Sequence, residues 1–401
     1  MLAVEDAHRL VLEQCQPLPP ERTPTAPAAL GRPLAEAVAC DLDVPAFTKS
    51  LMDGYAIRAA DGGPLTVIEE VTAGRVPTKT VGRGQATRIM TGAPLPEGAD
   101  AVVPVESCRA DGDRVEIAGP PPAPGDNVLP RGREMRKCEV ILSPGALLTP
   151  QALGVLSTCG RAVVLTGRPP RVAVTATGDE LVEPSAAPGP GQVRNSNAPM
   201  LLAQAAAAGG LARDLGIARD TAESLRAAVR EGLRTADVLI LSGGVSAGKL
   251  DLVPGILREE GVVAHFHKVR LKPGKPLFFG TAERDGGRRL VFGLPGNPVS
   301  SFVCFELFVR PAIRRLGGHA EVDLPAVSAR LGAHFTYSSD RPTYHPAELM
   351  LAPEGWRARA IPWFGSADLR AFLAANALLV LPPGGGALPA GAAVQALRLE
   401  A

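Results

Sequence analysis

Two segments in the first part of the chain carry apolar residues at helical spacing. Residues 4–12 place valine and leucine on one side of a short helix, and a proline-rich stretch follows. The segment TPQALGVLSTCG predicts a second helix, in which Thr149 caps the first turn, Pro150 suits the first helical position and Gly160 ends the helix. The two helical segments flank a region with a different pattern.

Between residues 44 and 130 the apolar segments are short and rich in β-branched residues. Glycine, proline and Asp-Gly pairs separate them, which is typical of turns between strands. The segments that predict strands are LTVIEEV, QATRIM, DAVVPVE and RVEIAG. This region therefore predicts a small β-rich domain.

From about residue 168 to residue 316, strand and helix patterns alternate, which predicts a mostly parallel sheet covered on both faces. Strand candidates are RVAVTATG, LARDLGIARD, DVLILSGG and RRLVFGLPG. Helix candidates are NAPMLLAQAAAAGG, DTAESLRAAVREGLRTAD with Asp220 as its expected cap, and the buried segment SSFVCFELFVRPAIRRLGG. After residue 320, short segments such as VSARL, WRARAI, ALLVLPP and AVQALRL predict a closing β-barrel or sandwich.

These patterns predict a multidomain α/β plus β fold. The expected segments are a connecting domain built from 1–43 and 140–167, a β-rich domain over 44–139, an α/β domain over 168–318 and a C-terminal β-barrel domain over 319–401. A chain of 401 residues exceeds what one hydrophobic core usually organises, so length alone also predicts several domains.

Composition argues against several classes of partner. The 42 Lys and Arg against 41 Asp and Glu leave a net charge of +1, which gives no overall field for nucleic acid or an anionic membrane. No apolar run approaches the roughly 18 residues that span a bilayer, and charged residues interrupt the N-terminus where a signal peptide would be apolar. Six scattered cysteines without a CxxC pair favour reduced thiols over a zinc site, so a cytoplasmic location is expected.

Candidate chemistry collects where the strands of the α/β region end. In an open parallel sheet, ligands bind beyond the carboxyl ends of the strands, because loops and helix N-termini converge there. Glycine-rich turns in such loops can direct backbone N–H groups at a phosphate. In chain order, the candidate loops contain Thr177, Gly178, Asp179 and Glu180; Arg219 and Asp220; Ser242, Gly243, Gly244, Ser246 and Gly248, with Asp251 just beyond; and Pro295, Gly296, Asn297 and Pro298.

Each loop also has a structural interpretation, as a tight turn or a helix cap. The coincidence of these loops with Lys268, Lys272 and Lys275 favours binding, because ammonium groups would neutralise a phosphate or another oxyanion. The loop after Ser242 matches neither GxxxxGK[ST] nor GxGxxG, so ATPase and dinucleotide-binding interpretations lose support. The sequence thus predicts a local anion site.

Two loops of the β-rich region are further candidates. Asp53 stands beside Gly54 in KSLMDGYAI, and Thr91 belongs to the stiff loop MTGAPLPEGADAVV. A turn-forming role is the alternative for both. The residue pattern alone leaves these alternatives open.

Ordered motifs across the chain resemble those of the molybdopterin molybdenumtransferase family, the bacterial counterpart of the gephyrin E domain. They are SLMDGYA at 50–56, MTGAPLPEGADAVVPVE at 90–106, TGDEL at 177–181, SGGVSAG at 242–248, KPGKP at 272–276 and GLPGNPVS at 293–300. SGGVSAG alone is less specific, since related molybdopterin adenylyltransferases and some competence-damage proteins carry that kind of domain. The complete ordered set covers nearly the whole chain.

The resemblance implies an elongated, four-domain homodimer that inserts molybdate into adenylylated molybdopterin, uses Mg²⁺ and releases AMP. It also implies a site shared between the molybdopterin-binding α/β domain of one subunit and the β-rich domain of the other. Carried over residue by residue, it implies catalytic roles for Asp53, Glu134, Glu180 and Asp251, metal ligands at Glu180, Asp220 and Asp251, and substrate contacts from Thr91, Lys268, Lys272, Lys275 and the strand-end loops.

Two positions depart from the family pattern. After Gly132, Arg133 and Glu134 stand where the family usually has Glu and Asp, so the carboxylate of Glu134 is one methylene longer than expected. In the C-terminal domain, Arg341 is present, but Pro346 occupies the position of a second arginine.

Two other functions stay open at this point. The first is adenylylation of molybdopterin by ATP, although the DGYA and MTGAP motifs are foreign to that family; such an adenylyltransferase is also a candidate partner. The second is a non-catalytic scaffold of the gephyrin E-domain type. The acidic and basic residues at motif positions disfavour a purely structural role.

Overall fold

The structure is a computed structural model that describes residues 1–244 and 252–399. The chain divides into two compact units. We call residues 22–30 and 36–164 the β-rich unit, and residues 1–21, 31–35 and 165 onward the sheet–barrel unit. The domain boundaries expected from the sequence are finer than this division and stay predictions. Within the described ranges, no helix is long and apolar enough to cross a membrane.

The first 166 residues contain two α-helices, two short 3-10 helices (Pro27–Ala29 and Val105–Ser107) and mostly short strands. In chain order they are α1 (Val4–Glu13), β1 (Glu21–Pro24), β2 (Val38–Ala39), β3 (Lys49–Ser50), β4 (Gly54–Ile57), β5 (Leu65–Val71), β6 (Gln85–Ile89), β7 (Ala101–Pro104), β8 (Cys108–Asp111), β9 (Arg114–Ile117), β10 (Val128–Leu129), β11 (Val140–Leu142), α2 (Pro150–Thr158) and β12 (Val163–Thr166).

The rest of the chain alternates strands with helices and then returns to strands. The elements are β13 (Arg171–Thr177), β14 (Leu181–Val182), β15 (Val193–Arg194), α3 (Asn197–Ala207), β16 (Leu211–Ala218), α4 (Ala222–Thr235), β17 (Val238–Ser242), α5 (Val253–Glu259), β18 (Val263–Phe266), β19 (Phe278–Arg284), β20 (Gly287–Leu294), α6 (Pro298–Cys304), α7 (Arg310–Leu316), β21 (Ala326–Leu331), β22 (Phe335–Tyr337), β23 (Thr343–Ala352), β24 (Gly355–Ala360), β25 (Ala377–Leu381), β26 (Gly386–Leu388) and β27 (Ala393–Arg398).

A six-stranded sheet organises the β-rich unit, in the order β7-β4-β6-β5-β9-β8. Alternating apolar residues such as Ile57 and Leu65 are fully buried in its core. At Gly54 the strands approach so closely that a Cβ atom would lie 2.0 Å from the carbonyl oxygen of Val103. The strands expected from LTVIEEV, QATRIM, DAVVPVE and RVEIAG are therefore confirmed, and glycine is required where β4 meets β7.

A second six-stranded sheet forms the centre of the sheet–barrel unit, in the order β16-β13-β17-β20-β19-β18. The strands β16, β13, β17 and β20 are parallel, β19 is antiparallel to its neighbour β20, and β18 is antiparallel to β19, so β18 runs in the same direction as the first four. Every residue of β17 is buried, as expected for a central strand covered on both faces. Val4 and Val11 of α1 belong to the same apolar core as this sheet. The mostly parallel sheet predicted from the sequence is confirmed.

The ends of the helices explain where the sequence interpretation was right and where it was wrong. Thr149 accepts a hydrogen bond from the N–H of Ala152 and caps α2, as predicted. The predicted cap of α4 was wrong by one residue. Thr221, and not Asp220, caps this helix, because its side chain accepts a hydrogen bond from the N–H of Ser224. Asp220 is thus left outside the helix, at the end of the preceding strand.

A closed barrel, in the order β21-β24-β23-β25-β27, ends the chain. Its interior is apolar and includes the fully buried residues Ala347, Ala377 and Leu379. The sequence left a barrel and a sandwich open, and the closed strand order selects the barrel.

Candidate active site

A cavity of about 700 Å³ opens at the carboxyl ends of the parallel strands of the sheet–barrel unit. Loops after β13, β16, β17 and β20 all contribute to it, as the sequence predicted for an open parallel sheet. The lining residues that sequence analysis had singled out are Thr177, Gly178, Glu180, Asp220, Ser242, Gly243, Gly244, Pro295, Gly296, Asn297 and Pro298. Those it had not singled out are Ala176, Leu181, Val193, Arg194, Asn195, Ser196, Asn197, Pro276 and Ala367.

Glycines let the loops after β13 and β17 come into contact. Gly243 and Gly244 have positive φ angles of 97° and 62°. A Cβ atom on Gly243 would lie 2.5 Å from the carbonyl oxygen of Thr177, and one on Gly244 would lie 2.8 Å from the Thr177 hydroxyl oxygen. Larger residues would therefore force the two loops apart and change the cavity wall.

Asn197 joins two of the loops that form the cavity. Its side-chain Nδ2 donates to the hydroxyl oxygen of Ser242 at 2.8 Å and to the carbonyl oxygen of Gly296 at 2.8 Å. Asn195 accepts a hydrogen bond from the N–H of Ala198 at 3.1 Å and so supports the first turn of α3. Sequence analysis missed both asparagines, although two amides directly before an apolar helix were a usable signal.

Two buried polar atoms in the cavity wall have no hydrogen-bond partner among residues 1–244 and 252–399. They are the hydroxyl oxygen of Thr177 and Oδ1 of Asn197, which belong to residues only 3% and 8% exposed. Leaving such a group unpaired costs about 1–3 kcal/mol, and native proteins rarely do so. A ligand in the cavity that carries both a hydrogen-bond donor and an acceptor would satisfy them.

Acidic residues cluster on one side of the cavity. The Asp179 carboxylate accepts from the backbone N–H of Asp220 at 3.1 Å, and the Arg219 guanidinium donates to the carbonyl oxygens of Asp179 and Leu181 at 3.1 and 3.2 Å. Partial burial raises the pKa of Asp220, and the negative charges of Asp179 and Glu180 raise it further. This repulsion between carboxylates is one that a bound cation would relieve.

The loop after β17 extends beyond what the structure describes. Ser246, Gly248 and Asp251, all predicted from the sequence, lie outside the described residues. Over residues 1–244 and 252–399, no group of three or more His, Cys, Asp or Glu side chains is arranged to hold a metal ion. The predicted metal ligand Asp251 is among the residues outside these ranges, so the predicted set of three carboxylates stays a prediction.

The predicted lysines do not line the cavity. The Lys272 ammonium group donates to the carbonyl oxygen of Ser338 at 3.1 Å, so this side chain is directed at the loop before β23. Lys268 and Lys275 are exposed to solvent. Arg194, which sequence analysis did not select, is a cationic residue of the cavity wall.

The C-terminal barrel region also contributes to the cavity. The carbonyl oxygen of Ser366 accepts from the N–H of Val299 at 3.1 Å, and its hydroxyl oxygen accepts from Nδ2 of Asn297 at 2.9 Å. The next residue, Ala367, lies in the cavity wall. No local signal in the sequence connects this loop with residues 293–300.

The β-rich unit brings Asp53 and Thr91 together. The N–H and the hydroxyl group of Thr91 both donate to Oδ1 of Asp53, at 2.6 and 2.7 Å. These two hydrogen bonds lower the pKa of the exposed Asp53 carboxyl group, so it is ionised over a wider pH range than an ordinary aspartate. The two motifs SLMDGYA and MTGAP thus meet at one acidic group.

Glu134 occupies an exposed loop that is anchored by backbone contacts. Its N–H donates to the carbonyl oxygen of Val44 at 2.9 Å. Asp43 holds the same loop by accepting from Nε of Arg131 at 2.7 Å and from the N–H of Lys137 at 2.9 Å. Sequence analysis missed Asp43, which acts here as a structural anchor.

The parallel sheet, the cavity at its carboxyl edge and the closed barrel define a multidomain, ligand-binding protein of the α/β class. Three family models match the chain: "MoeA N-terminal region (domain I and II)" over residues 2–160, "Probable molybdopterin binding domain" over 173–315 and "MoeA C-terminal region (domain IV)" over 328–399. The chain belongs to the molybdopterin molybdenumtransferase family.

Individual relatives agree with this assignment. The molybdopterin molybdenumtransferase of Staphylococcus aureus is 34% identical, with 100% of this chain and 96% of the relative covered. That of Bacillus subtilis is 40% identical, with 71% of this chain and 68% of the relative covered. Two solved structures of the molybdopterin biosynthesis MoeA protein from Pyrococcus horikoshii match with TM-scores of 0.83 and 0.81 at 31% and 29% identity, and they cover 100% and 99% of this chain and 100% of their own.

Proposed function

We propose that this chain inserts molybdate into adenylylated molybdopterin and releases AMP, the final step of molybdenum cofactor biosynthesis. The observation that carries the proposal is the cavity, whose wall combines tight glycine turns, neighbouring carboxylates and two buried polar atoms without a partner in the described part of the chain. The named activity of relatives that align along the whole chain agrees with it. The cavity volume lies in the range usual for small-molecule sites.

The cavity loops bind the adenylylated molybdopterin in this proposal. The Thr177 hydroxyl group donates to a ligand oxygen, and Oδ1 of Asn197 accepts from a ligand N–H or O–H group, so the ligand gives both buried atoms a partner. Gly243 and Gly244 allow the ligand to approach the backbone closely. The other proposed contacts are Gly178, Asp179, Asp220, Ser242, Ser246, Gly248, Pro295, Gly296, Asn297 and Pro298.

Mg²⁺ is the proposed metal cofactor, and the acidic cluster suits it. Magnesium is usually held by one or two carboxylates together with substrate phosphates, and it neutralises the charge of phosphate oxygens. Glu180 and Asp220 would hold it, with Asp251 as the third proposed ligand. Burial is the largest cause of the raised pKa of Asp220, and the charges of Asp179 and Glu180 add to it. The support for Mg²⁺ is this added repulsion between carboxylates, which a bound cation would relieve.

Asp53 and Glu134 are the proposed catalytic residues of the β-rich unit. Because hydrogen bonds from Thr91 keep Asp53 ionised, its carboxylate is available to accept a proton or to orient a water molecule. Glu134 is exposed on an anchored loop and would act in the same chemistry. Glu180 and Asp251 complete the proposed catalytic set.

The lysines of the sheet–barrel unit are proposed to attract molybdate. Lys268 and Lys275 are exposed, and Lys272 is half-buried, so they present positive charge to an approaching dianion. Molybdate is a substrate here, and its two negative charges make this attraction favourable.

We also propose that the protein acts as a cytoplasmic homodimer with a site shared between subunits, and that a molybdopterin adenylyltransferase is its partner. The support for the shared site is that Asp53 and Thr91 belong to one compact unit and the cavity to the other. Mixed dimers that combine Asp53→Ala chains with Asp220→Ala chains would then regain part of their activity. Verified mixed dimers without any activity would argue against a shared site.

The proposed function is tested by measuring AMP release from adenylylated molybdopterin by the purified protein, with and without molybdate. Release that depends on molybdate supports the proposal. Consumption of ATP in the presence of molybdopterin would instead favour the adenylyltransferase. If the correctly folded protein catalyses neither reaction, the result would favour the scaffold.

A further inference from the structure

Three cysteines gather in the β-rich unit, and none of them is among the residues assigned to the proposed function. Cys40 and Cys159 are buried, with exposed fractions of 2% and 0%, whereas Cys138 is exposed. All three are free thiols. We call them the thiol cluster.

Two short segments bring Cys40 and Cys159 into contact. The Arg161 guanidinium donates to the carbonyl oxygen of Ala39 at 3.4 Å. A Cβ atom on Gly160 would lie 2.6 Å from a carboxylate oxygen of Asp41, so the residues that follow the two cysteines also touch. Between these contacts, the thiol of Cys40 lies close enough to raise the pKa of the Cys159 thiol.

Cys138 lies against the same segment through the backbone. Its N–H donates to the carbonyl oxygen of Cys40 at 2.8 Å, and the N–H of Cys40 donates to the carbonyl oxygen of Glu139 at 3.0 Å. This pairing continues the short ladder of β2 with β11. The backbone of the exposed Cys138 therefore adjoins that of the buried Cys40.

We propose that Cys40 and Cys159 form a reversible disulfide, reached by thiol–disulfide exchange through Cys138. The Cys138 thiolate attacks a low-molecular-weight disulfide, forms a mixed disulfide and releases one thiolate. The Cys40 thiolate then attacks the Cys138 sulfur and releases the second small thiolate. Finally, the Cys159 thiolate attacks the Cys40 sulfur and frees Cys138, so two protein thiols are oxidised and one small disulfide is reduced to two thiols.

The exposed Cys138 serves as a relay in this proposal, because the buried pair of thiols reacts slowly with a soluble disulfide by itself. Burial, the thiol of Cys40 and the charge of Asp41 together raise the pKa of Cys159 to about 11. The thiolate is the reactive form, so little of Cys159 can react directly at neutral pH. The exposed Cys138 thiol is the one a soluble disulfide meets first.

The disulfide would join the segment before the β-rich sheet to the end of α2. The loop that it closes runs from residue 40 to residue 159 and contains most of the β-rich unit. Cross-links that close long loops reduce the entropy of the unfolded chain, so the oxidised unit should resist unfolding. The thiol cluster would thus change the stability of the unit that carries Asp53 without touching that residue.

The test treats the full-length protein with oxidised glutathione and maps disulfides by mass spectrometry of peptides kept under non-reducing conditions. The expected product is a linked Cys40–Cys159 peptide pair that dithiothreitol removes. Cys138→Ser should slow its formation at least tenfold, whereas Cys108→Ser, a matched change in the same unit, should leave the rate unchanged. The oxidised protein should also melt several degrees higher, about 5 °C or more on the scale known for long closed loops.

Two results would overturn the proposal. One is a final product that contains only glutathione on Cys138, or only a Cys40–Cys138 bond, in the wild-type protein. The other is an equal rate of Cys40–Cys159 formation with and without the Cys138 thiol, which would remove the relay. Because the mapping uses the wild-type chain, it does not depend on the folding of a variant.

Discussion

Replacing Asn197 with alanine removes the link between the loop after β17 and the loop after β20. Two hydrogen bonds of 2.8 Å, to Ser242 and to the carbonyl oxygen of Gly296, are lost. At about 1 kcal/mol for each bond, with a further cost for the stranded carbonyl group, the free energy of unfolding should fall by roughly 2–4 kcal/mol. The variant also loses Oδ1, a buried acceptor in the cavity wall that has no partner among the described residues.

Loss of that acceptor should weaken ligand binding, in addition to the decrease in the free energy of unfolding. One hydrogen bond to a buried ligand group contributes about 1–2 kcal/mol, so affinity for adenylylated molybdopterin should fall about 5- to 30-fold. Gln204→Ala is the matched control, because Gln204 is a buried amide of the same helix. It donates to the carbonyl oxygen of Phe302 at 3.4 Å and to Glu306 at 2.6 Å, and it does not line the cavity.

The two variants are compared by denaturant unfolding and by calorimetric titration with adenylylated molybdopterin. Both should lose stability, and only Asn197→Ala should lose affinity. Wild-type affinity in Asn197→Ala would refute the role of its Oδ1 in ligand recognition. An equal loss of affinity in Gln204→Ala would mean that general destabilisation of α3, and not the contact, explains the result.

Three further substitutions test the other parts of the site. Asp53→Asn should lower AMP release about 100-fold or more while ligand affinity holds, because the acceptor oxygen stays and the charge is lost; unchanged turnover would remove Asp53 from the mechanism. Because the pKa of Asp220 is raised, its carboxylate is protonated at a higher pH than an ordinary aspartate, so the apparent Mg²⁺ affinity in AMP-release assays should fall early as pH decreases. Asp220→Asn should weaken Mg²⁺ binding and make the apparent Mg²⁺ affinity less dependent on pH. An unaltered pH profile in this variant would contradict the assignment of Asp220 as a metal ligand. Gly244→Val should weaken ligand binding at least about tenfold, because the new side chain meets Thr177 at a positive φ angle; equal affinity by titration would make this turn purely structural.

Local patterns predicted the elements and the edge of the sheet where the cavity lies. The strand pattern of LTVIEEV matches β5 residue for residue, and the cap at Thr149 was predicted from its position before Pro150. The prediction of Asp220 as the cap of α4 was wrong because Asp220 and Thr221 are adjacent and both residue types can cap a helix. Only the backbone geometry decides between them.

Contacts between distant segments could not be predicted in this way. Asn197 reaches Ser242 and Gly296 only because the sheet brings three chain segments together. The lysines near residue 272 were expected beside the loops on account of their proximity in sequence, yet Lys272 pairs with Ser338 of the barrel region. Side-chain direction in a loop depends on such tertiary contacts, which leave no periodic signal.

The hydrogen bonds of Ser366 have a consequence for how the chain can be divided experimentally. They supply partners for the N–H of Val299 and for the amide of Asn297 at the cavity. A fragment that ends after α7 would keep the whole parallel sheet but leave both groups unpaired and remove Ala367 from the wall. Binding data from such a truncated fragment would describe a differently shaped receptor, so ligand studies need the intact C-terminal barrel.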